Sequence, residues 1–511
     1  MKIAYLPIDE RPCNIDYIQM IARSSAEIEL LIPDKSMLGE KKKAADTNRI
    51  WDWLFAAGKS VDAFIISIDM MIYGGLLPSR LHYLTKDAGA TCIERLRILH
   101  KTYPDTPIYA YNLIMRTPKY SSSDEEPDYY EEWGRELFLN AYLQDKKARE
   151  KLSQSEEHEL KAISAQLPKQ YIEDYETRRI FNSMINVSML NLVHEGVLTF
   201  LSIPQDDSSE FGYTAMDQKK VVEKREQLRL HKKVHMYPGA DEVGATLLTR
   251  VYNDIKGITP KVYPIWSSTL GPSLIPLYED RPYGESLKAH ILAAGCQLVA
   301  SADEADIILA YNTPGRVMQE AWEQAEKDIT YTSFRNMLVF VGDIKKHIDS
   351  GKKVMVADSA YANGGDQELI ILLDEEQVLD KLISYKGWNT NCNTLGTTIC
   401  QGIIGLKGKV RTIQENLIYH LLDDYFYQAE VRKKLVNDFL PKYKLNYFDL
   451  KNRGKTINRI RDDMLYKSYH DTIIHSFGDM NLDKVSTYAP WNRMFECGMK
   501  LEFKGYTKPI L

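Results

Sequence analysis

Two pairs of adjacent acids stand out because each follows a short apolar run. Asp206 and Asp207 come after "GVLTFLSI", and Asp241 and Glu242 come after "KVHMY". Two neighbouring carboxyl groups can divide acid–base work, because burial and a like-charged neighbour raise the pKa of one of them. Glycosidases need one group to protonate the leaving oxygen and another to attack or stabilise the anomeric carbon. Both pairs are therefore candidate catalytic groups.

Each pair also has a purely structural interpretation. Asp241 could cap the helix predicted in "EVGATLLTRVYND", with Glu242 favourable in its first turn. Asp206 and Asp207 could form an Asx-turn. The acidic run 124–126 in "SSSDEEPDYYEEW" is interpreted as a solvated helix start. Catalysis stays open for both pairs, against a helix start for Asp241 and Glu242 and a turn for Asp206 and Asp207.

The elements that would position these acids are apolar runs that alternate with helix-like segments. Runs without polar alternation are typical of strands buried on both faces, so the pattern predicts an α/β fold with a mostly parallel sheet. The runs cover residues 2–8, 28–33, 61–68, 107–114, 196–203, 233–237, 261–266, 296–301, 305–311, 352–358 and 382–388.

The order of the runs predicts three regions. We expect an α/β catalytic unit over residues 1–260, either (β/α)8-barrel-like, which we prefer, or Rossmann-like. A helical insertion is expected at about 117–195. A second α/β unit is expected over 261–410, and a mainly helical C-terminal region with a terminal strand in "MKLEFKGY" over 411–511.

Active sites of parallel α/β folds lie at the carboxyl ends of the strands. Acids, amides, Arg, Lys and Trp follow nearly every run, and we expect them on one face. Carboxylates and amides bind sugar hydroxyls, and Trp rings stack on sugar rings. The predicted substrate-binding residues are Asp9, Arg11, Lys35, Asp69, Arg80, Asn112, Trp266, Asn312, Asp358, Trp388 and Asn389.

Composition narrows the classes of function. The chain has 71 acidic and 65 basic residues and a net charge of −6, which argues against nucleic-acid binding, because that needs a basic face. No apolar run is long enough for a membrane span. The six cysteines have no metal-binding spacing, and scattered thiols suggest a reducing compartment. We expect a cytoplasmic protein without metal or cofactor, and a homo-oligomer stays open.

Short motifs resemble those of substrate-assisted hexosaminidases. "HMYPGADEV" resembles the Asp-Glu motif of the family 20 β-N-acetylhexosaminidases, with Tyr-Pro inserted, and "IPQDDS" is similar to the Asp-Asp pair of the O-GlcNAcase-like enzymes. "IPDKS" is similar to their strand-end Lys. The first resemblance implies that Asp241 orients the acetamido group of the substrate and that Glu242 is the general acid/base. Asp206 and Asp207 are then the alternative pair or a hydroxyl clamp.

A second resemblance extends over nearly the whole chain. "LPIDERPCN", "SIDMMIYGGLLPSR", "IPQDDSSEFG", "GADEVGATLLTR", "YEDRPYGE" and "GWNTNCNTLGT" together resemble the bacterial family called domain of unknown function 4127. This resemblance implies no activity.

The sequence thus predicts a hydrolase of N-acetylhexosamine-containing glycosides that uses a substrate-assisted retaining mechanism. Its partner would be a small carbohydrate, with no nucleic acid and no membrane. Two alternatives remain. One is a non-catalytic carbohydrate-binding or sensing protein, and the other is a metal-dependent hydrolase of an acidic or phosphorylated metabolite.

Overall fold

The computed structural model describes residues 1–504 and divides the chain into two compact units. The first comprises Met1–Glu10, Glu29–Gly244 and Tyr278–Asp280, and the remaining residues form the second. The division differs from the expected one, because residues 11–28 and the C-terminal region both belong to the second unit. Residues 505–511, which include the end of the predicted terminal strand, lie outside the described residues.

Fifteen strands are present in the described chain, and each of the eleven apolar runs supplies one. They are β1 (Lys2–Leu6), β2 (Glu29–Leu31), β3 (Ala63–Ser67), β4 (Ile108–Tyr111), β5 (Phe200–Ser202), β6 (Val234–His235), β7 (Lys261–Trp266), β8 (Gln297–Leu298), β9 (Ile307–Asn312), β10 (Gln319–Glu320), β11 (Lys353–Asp358), β12 (Tyr361–Ala362), β13 (Ser384–Lys386), β14 (Leu482–Tyr488) and β15 (Gly498–Phe503).

The α-helices lie between the strands, singly or in groups. They are α1 (Asp16–Ser24), α2 (Thr47–Ala57), α3 (Ile68–Tyr73), α4 (Lys86–Thr102), α5 (Tyr130–Arg149), α6 (Gln154–Gln166), α7 (Lys169–His194), α8 (Tyr213–Gln227), α9 (Val243–Lys256), α10 (Tyr283–Ala293), α11 (Thr330–Ser333), α12 (Met337–Asp349), α13 (Gln367–Glu375), α14 (Asn391–Gly405), α15 (Val410–His420), α16 (Arg432–Lys434) and α17 (Gly454–Thr472).

The first unit contains a parallel sheet of six strands in the order β2-β1-β3-β4-β5-β6. Strands β3 and β4 are buried along their whole length, because their apolar runs face helices on both sides of the sheet. Within residues 1–504 the sheet is open, with β2 and β6 at its edges. The predicted α/β class is confirmed, and the Rossmann-like alternative describes this unit whereas the barrel-like alternative does not.

The chain between β4 and β5 forms the three helices α5, α6 and α7. An apolar core joins them to the end of β4 and to α8 through Met115, Tyr130, Tyr175 and Tyr213. Ser153 starts α6 with a capping box, in which its hydroxyl accepts from Glu156 N and the Glu156 carboxylate accepts from Ser153 N. This segment is a helical insertion built over one edge of the first sheet.

The second unit contains a parallel sheet of five strands in the order β13-β11-β9-β7-β8. Both sheets place their second strand outside the first and continue on the other side with the third. Read in chain order, both begin 2-1-3-4-5, the order of doubly wound flavodoxin-like folds. The remaining C-terminal chain is mainly helical and ends in the antiparallel pair β14–β15.

A π-helix, Leu421–Val431, continues α15 in the second unit. Nearly all of its residues are buried, including two adjacent acids, Asp423 and Asp424. Such wide helical turns are rare and occur frequently at functional sites. Among the helices in residues 1–504, none combines the length and the apolarity needed to cross a membrane.

Candidate functional site

The carboxyl edge of the first sheet brings the two acid pairs onto neighbouring strands. Beyond the regular strands, Gln205 forms parallel bridges with Ile114 on one side and Pro238 on the other. Gly239 N donates to Gln205 O at 2.9 Å. The segments that carry the two acid pairs therefore leave the sheet side by side, as the sequence predicts for strand ends.

Arg80 joins Asp206 to a second pair of acids. Its Nη2 donates to Asp206 Oδ2 at 2.7 Å, and its Nη1 donates to Glu125 Oε2 at 2.9 Å and to Glu126 Oε1 at 3.3 Å. The Arg80 side chain is only 2% exposed, so these charge-assisted bonds replace the water that a guanidinium otherwise binds.

Arg116 makes the matching set of contacts on the other side of these acids. It donates through Nε to Glu126 Oε1 at 2.8 Å, through Nη2 to Glu125 Oε2 at 2.7 Å and through Nη1 to Asp207 Oδ2 at 3.1 Å. We call Arg80, Arg116 and the four acids the arginine–carboxylate cluster. It holds four carboxylates and two guanidinium groups, so negative charge is in excess.

Asp207 is an acid of this cluster whose pKa is raised. Burial raises it to about 6, with Arg116 opposing the shift and Asp206 adding to it. The backbone of Asp207 is left-handed, at φ 41°, a conformation that a non-glycine residue keeps only when its surroundings fix it. The side chains of Asp206 and Asp207 remain 13% and 21% exposed. A carboxyl group with this pKa can both give and take a proton near neutral pH.

Helix α7 of the insertion fixes the backbone around the cluster. Tyr175 Oη and Arg179 Nη1 donate to Arg116 O at 2.9 and 3.1 Å, and Asn182 Nδ2 donates to Ser79 O at 2.9 Å, next to Arg80. A fourth side chain continues this face of the helix, and the four residues are Tyr175, Arg179, Asn182 and Asn186. Their spacing puts them in one line along α7, so the insertion positions both arginines.

Asp69 and Asn112 lie at the same edge, at the ends of β3 and β4. Asp69 is 2% exposed and accepts from Leu113 N at 3.0 Å. Burial raises its pKa to about 6, while hydrogen bonds from Leu113 and Asn112 oppose the shift. Asn112 Oδ1 in turn accepts from Asn186 Nδ2 at 2.8 Å. Asp69 is therefore a second titratable carboxyl group at this edge.

Asp241 and Glu242 occupy the turn before α9, where they are 6% and 1% exposed. The Glu242 carboxylate folds over Gly239, and a Cβ at Gly239 would lie only 2.5 Å from Glu242 Oε1. Gly239 also has φ 133°, which glycine adopts most easily. The local fold thus depends on glycine beside this acid, and the position before a helix fits the structural interpretation of the pair.

Two other predicted residues of the first unit, Asp9 and Lys35, lie in different environments. Asp9 is 3% exposed at the end of β1, close enough to Tyr111 to raise the pKa of that phenol together with burial, the main cause. Lys35 is exposed in a short 3-10 helix that Asp34 caps.

Six predicted substrate-binding residues belong to the second unit: Arg11, Trp266, Asn312, Asp358, Trp388 and Asn389. Arg11 donates to Glu496 at 3.3 Å and lies 4.7 Å from the centre of the Trp491 ring. Trp388 is 5% exposed and packs in the apolar core, so it offers no face to a sugar. The predicted residues thus divide between two sheets, because identical strand-end patterns occur in both.

Trp266 and Asn389 have local partners in the second unit. The Trp266 ring is stacked on Tyr311 with centroids 4.7 Å apart. Asn389 has φ 67°, and its carbonyl accepts from Asn363 N at 2.9 Å. These contacts give both residues a structural role in their own unit.

Asn312 and Asp358 end the adjacent strands β9 and β11 and form a buried polar network. Asn312 Nδ2 donates to Asp358 Oδ1 at 2.9 Å and to Asp366 Oδ2 at 3.1 Å. Asp358 Oδ2 accepts from Asp366 N at 2.8 Å and from Tyr385 Oη at 2.9 Å. Burial raises the pKa of Asp358 to about 7, and the neighbouring Asp366 adds to the shift.

A second group of buried titratable side chains surrounds the π-helix. Tyr17 Oη donates to Asp423 Oδ2 at 2.6 Å, and Asp424 Oδ2 accepts from Gly387 N at 2.8 Å and lies 3.0 Å from His420 Nδ1. Burial lowers the pKa of Lys386 to about 7, and burial raises that of Asp424 to about 7. These groups form a buried titratable cluster inside the second unit.

Several residues of these clusters were not predicted from the sequence. Glu126 is 1% exposed and bonded to both arginines, so the interpretation of 124–126 as a solvated helix start is wrong for this residue. Arg116 follows β4 just as Asn112 does, and this position could have identified it as a candidate site residue. Asp423 and Asp424 interrupt the apolar run "IYHLLDDYFY", and two acids inside such a run indicate burial with a partner.

The described residues define a protein of two doubly wound α/β units. Each unit carries acids at the carboxyl edge of its sheet. Within residues 1–504, no three or more His, Cys, Asp or Glu side chains are arranged so that they could hold a metal ion.

The family described as protein of unknown function (DUF4127) matches residues 3–500. The chain therefore belongs to this family. No curated protein shows significant similarity to the chain.

Proposed function

We propose that the first unit is a glycoside hydrolase that acts on N-acetylhexosamine-containing glycosides through Asp206 and Asp207. The observation that carries the proposal is the environment of these two carboxyl groups. Arg80 binds Asp206 at 2.7 Å and Arg116 binds Asp207 at 3.1 Å, and Asp207 has a pKa raised to about 6 and an exposed fraction of 21%. Substrate-assisted hydrolysis needs two neighbouring acids, because one must orient the substrate while the other transfers a proton.

In this mechanism Asp206 accepts from the N–H of the 2-acetamido group of the sugar. The acetamido oxygen attacks the anomeric carbon, the glycosidic bond breaks, and Asp207 gives its proton to the leaving oxygen. A water then attacks the oxazolinium ion as Asp207 takes the proton of that water. The product keeps its anomeric configuration, and both carboxyl groups return to their starting states.

The pair Asp241–Glu242 takes second place in this proposal because of its position before α9. The carbohydrate is a small molecule, and we place the enzyme in the cytoplasm because all six cysteines are free and buried, which fits a reducing compartment.

The test is hydrolysis of chromogenic N-acetylhexosaminides by the full chain. We expect turnover by the parent and a loss of about 10²–10⁴ in rate for Asp207→Asn. The matched control is Asp174→Asn, which also removes a carboxylate from a pair with a buried arginine, Arg178, at 2.9 Å. Equal losses in both variants would assign the effect to folding. Sugar binding without turnover would make the protein a carbohydrate-binding module.

A further inference from the structure

The second unit has an open cavity next to the carboxyl edge of its sheet. Its volume is about 500 Å³, within the usual range of small-molecule sites. Its wall carries the acids Asp366, Glu368 and Glu375, the cation Lys327 and the apolar side chains Leu338 and Ile371.

Asp366 connects this cavity to the strand ends. It lines the cavity and also accepts from Asn312 Nδ2 at 3.1 Å and from Arg335 Nη1 at 2.7 Å. Asn312 is the last residue of β9, one of the two strands between which the order of the sheet reverses. Open α/β sheets bind their ligands outside the carboxyl ends of the strands at this reversal.

One buried donor next to a residue of the cavity wall, Glu368, has no hydrogen bond. The Arg335 side chain is 0% exposed, and its Nη2 has no hydrogen-bond partner among residues 1–504. The nearest acid oxygen recorded for it is Glu368 Oε2, at 3.8 Å, which is too long for a hydrogen bond. A hydroxyl group between the two atoms would accept from Arg335 and donate to Glu368.

The charges of the wall favour a cation. The wall holds three carboxylates, those of Asp366, Glu368 and Glu375, and one cation, Lys327, while the buried Arg335 binds Asp366 at 2.7 Å. Lys327 Nζ lies 3.0 Å from Glu368 Oε2, so one negative charge remains in excess. Exposed Leu338, at 74%, offers an apolar surface for a ring.

We propose that this cavity binds a small polyhydroxylated ligand that carries one protonated amine, of the amino sugar class. A hydroxyl of the ligand bridges Arg335 and Glu368, and its ammonium group interacts with the carboxylates. The site belongs to the second unit and does not depend on the hydrolase proposed for the first.

The experiment is calorimetric titration of the full chain with glucosamine, glucose, N-acetylglucosamine and cyclohexylamine. Glucosamine alone combines the amine with the hydroxyls, so we expect it to bind at least about tenfold more tightly than the other three. Glu368→Gln and Glu375→Gln should each weaken glucosamine binding, by about tenfold for Glu368, which meets both the hydroxyl and the charge requirement.

The matched control is Glu376→Gln. Glu376 follows Glu375 but pairs with Lys345 at 2.6 Å, so its loss should leave binding unchanged. Unchanged affinity in Glu368→Gln, equal binding of cyclohexylamine, or no saturable binding of glucosamine would each overturn the proposal. Loss of glucosamine binding in Asp207→Asn, with binding kept in Glu368→Gln, would move the ligand to the first unit and overturn it as well.

Discussion

The two sheets begin with the same strand order, yet their carboxyl edges hold acids in different ways. In the first unit, Arg80 and Arg116 bind four carboxylates through six ion pairs. In the second unit, Asp358 receives bonds from an amide, a phenol and a backbone N–H. At the first edge arginines compensate the charge of these acids, whereas Asp358 at the second edge depends on neutral donors and protonation.

The two ways of compensating the charge of the acids suit the two edges to different roles. Neutral donors leave Asp358 with a pKa of about 7 in a fully buried site, where a proton is held but not passed to a ligand in solvent. Guanidinium groups let Asp206 and Asp207 stay near the surface, which suits chemistry on a substrate. The comparison therefore favours the first edge as the catalytic one.

The largest effect should come from removing an arginine. Arg80→Met leaves Glu126 buried with only Arg116, and we expect a loss of about 3–5 kcal/mol in the free energy of unfolding. Chemical denaturation measures it. Arg97→Met is the control, because Arg97 is 41% exposed in its pair with Glu195, and a surface pair contributes about 0–1 kcal/mol. If Arg80→Met and Arg97→Met lose similar free energies of unfolding, the arginine pairs of the first edge stabilise no more than a surface pair does. The distinction between the edges would then fail.

The second prediction concerns the pH dependence of stability. The folded-state pKa of Asp358 is about 7, raised from 3.8, so folding binds its proton more tightly. Its contribution is present below about pH 4 and is lost as pH rises towards 7. Asp358→Asn cannot ionise, so its stability relative to the parent should rise by about 1–3 kcal/mol between pH 5 and pH 8.

Thermal or chemical unfolding at the two pH values measures this relative change. A constant difference between Asp358→Asn and the parent would show that Asp358 ionises normally.

Much of the fold could be predicted from local pattern. Apolar runs such as 61–68 and 352–358 became β3 and β11 because burial on both faces leaves no polar alternation. Whether the first sheet is open or closed into a barrel could not be predicted, because closure depends on the long-range pairing of edge strands. The short pair β10–β12 was missed, since two-residue strands carry almost no periodic signal.

The site was predictable only in part. Strand-end acids such as Asp69 and Asp206 were found because the carboxyl edge of a parallel sheet is where such residues meet. Their division between two sheets was missed, since Asn312 and Asp358 have the same local signature. Glu126 was missed because an acid in a polar loop looks solvated until its arginine partners, distant in sequence, are known.

The third prediction tests the role of Asp207 through the pH–rate profile, and it depends on the proposed hydrolysis. A general acid with a pKa of about 6 loses its proton as pH rises, so kcat/KM should fall about tenfold per pH unit above it. Asp69→Asn should show the same fall in kcat/KM, because Asp69 is buried beneath the edge. If the pH at which kcat/KM begins to fall shifts in Asp69→Asn but not in Asp206→Asn, Asp69 is the group that donates the proton.

The smallest effect should come from the pair before α9. If Asp241 only starts the helix, Asp241→Asn removes a favourable charge at its N-terminus and lowers stability by about 0.3–1 kcal/mol, with turnover unchanged. Asp46→Asn is the matched control, because Asp46 accepts from Asn48 N and Arg49 N at the start of α2 in the same unit. Melting curves and rates for both variants decide the question. A rate loss of about 100-fold or more in Asp241→Asn alone would transfer catalysis from Asp206–Asp207 to Asp241–Glu242, and the arginine–carboxylate cluster would then be a scaffold beside the active pair.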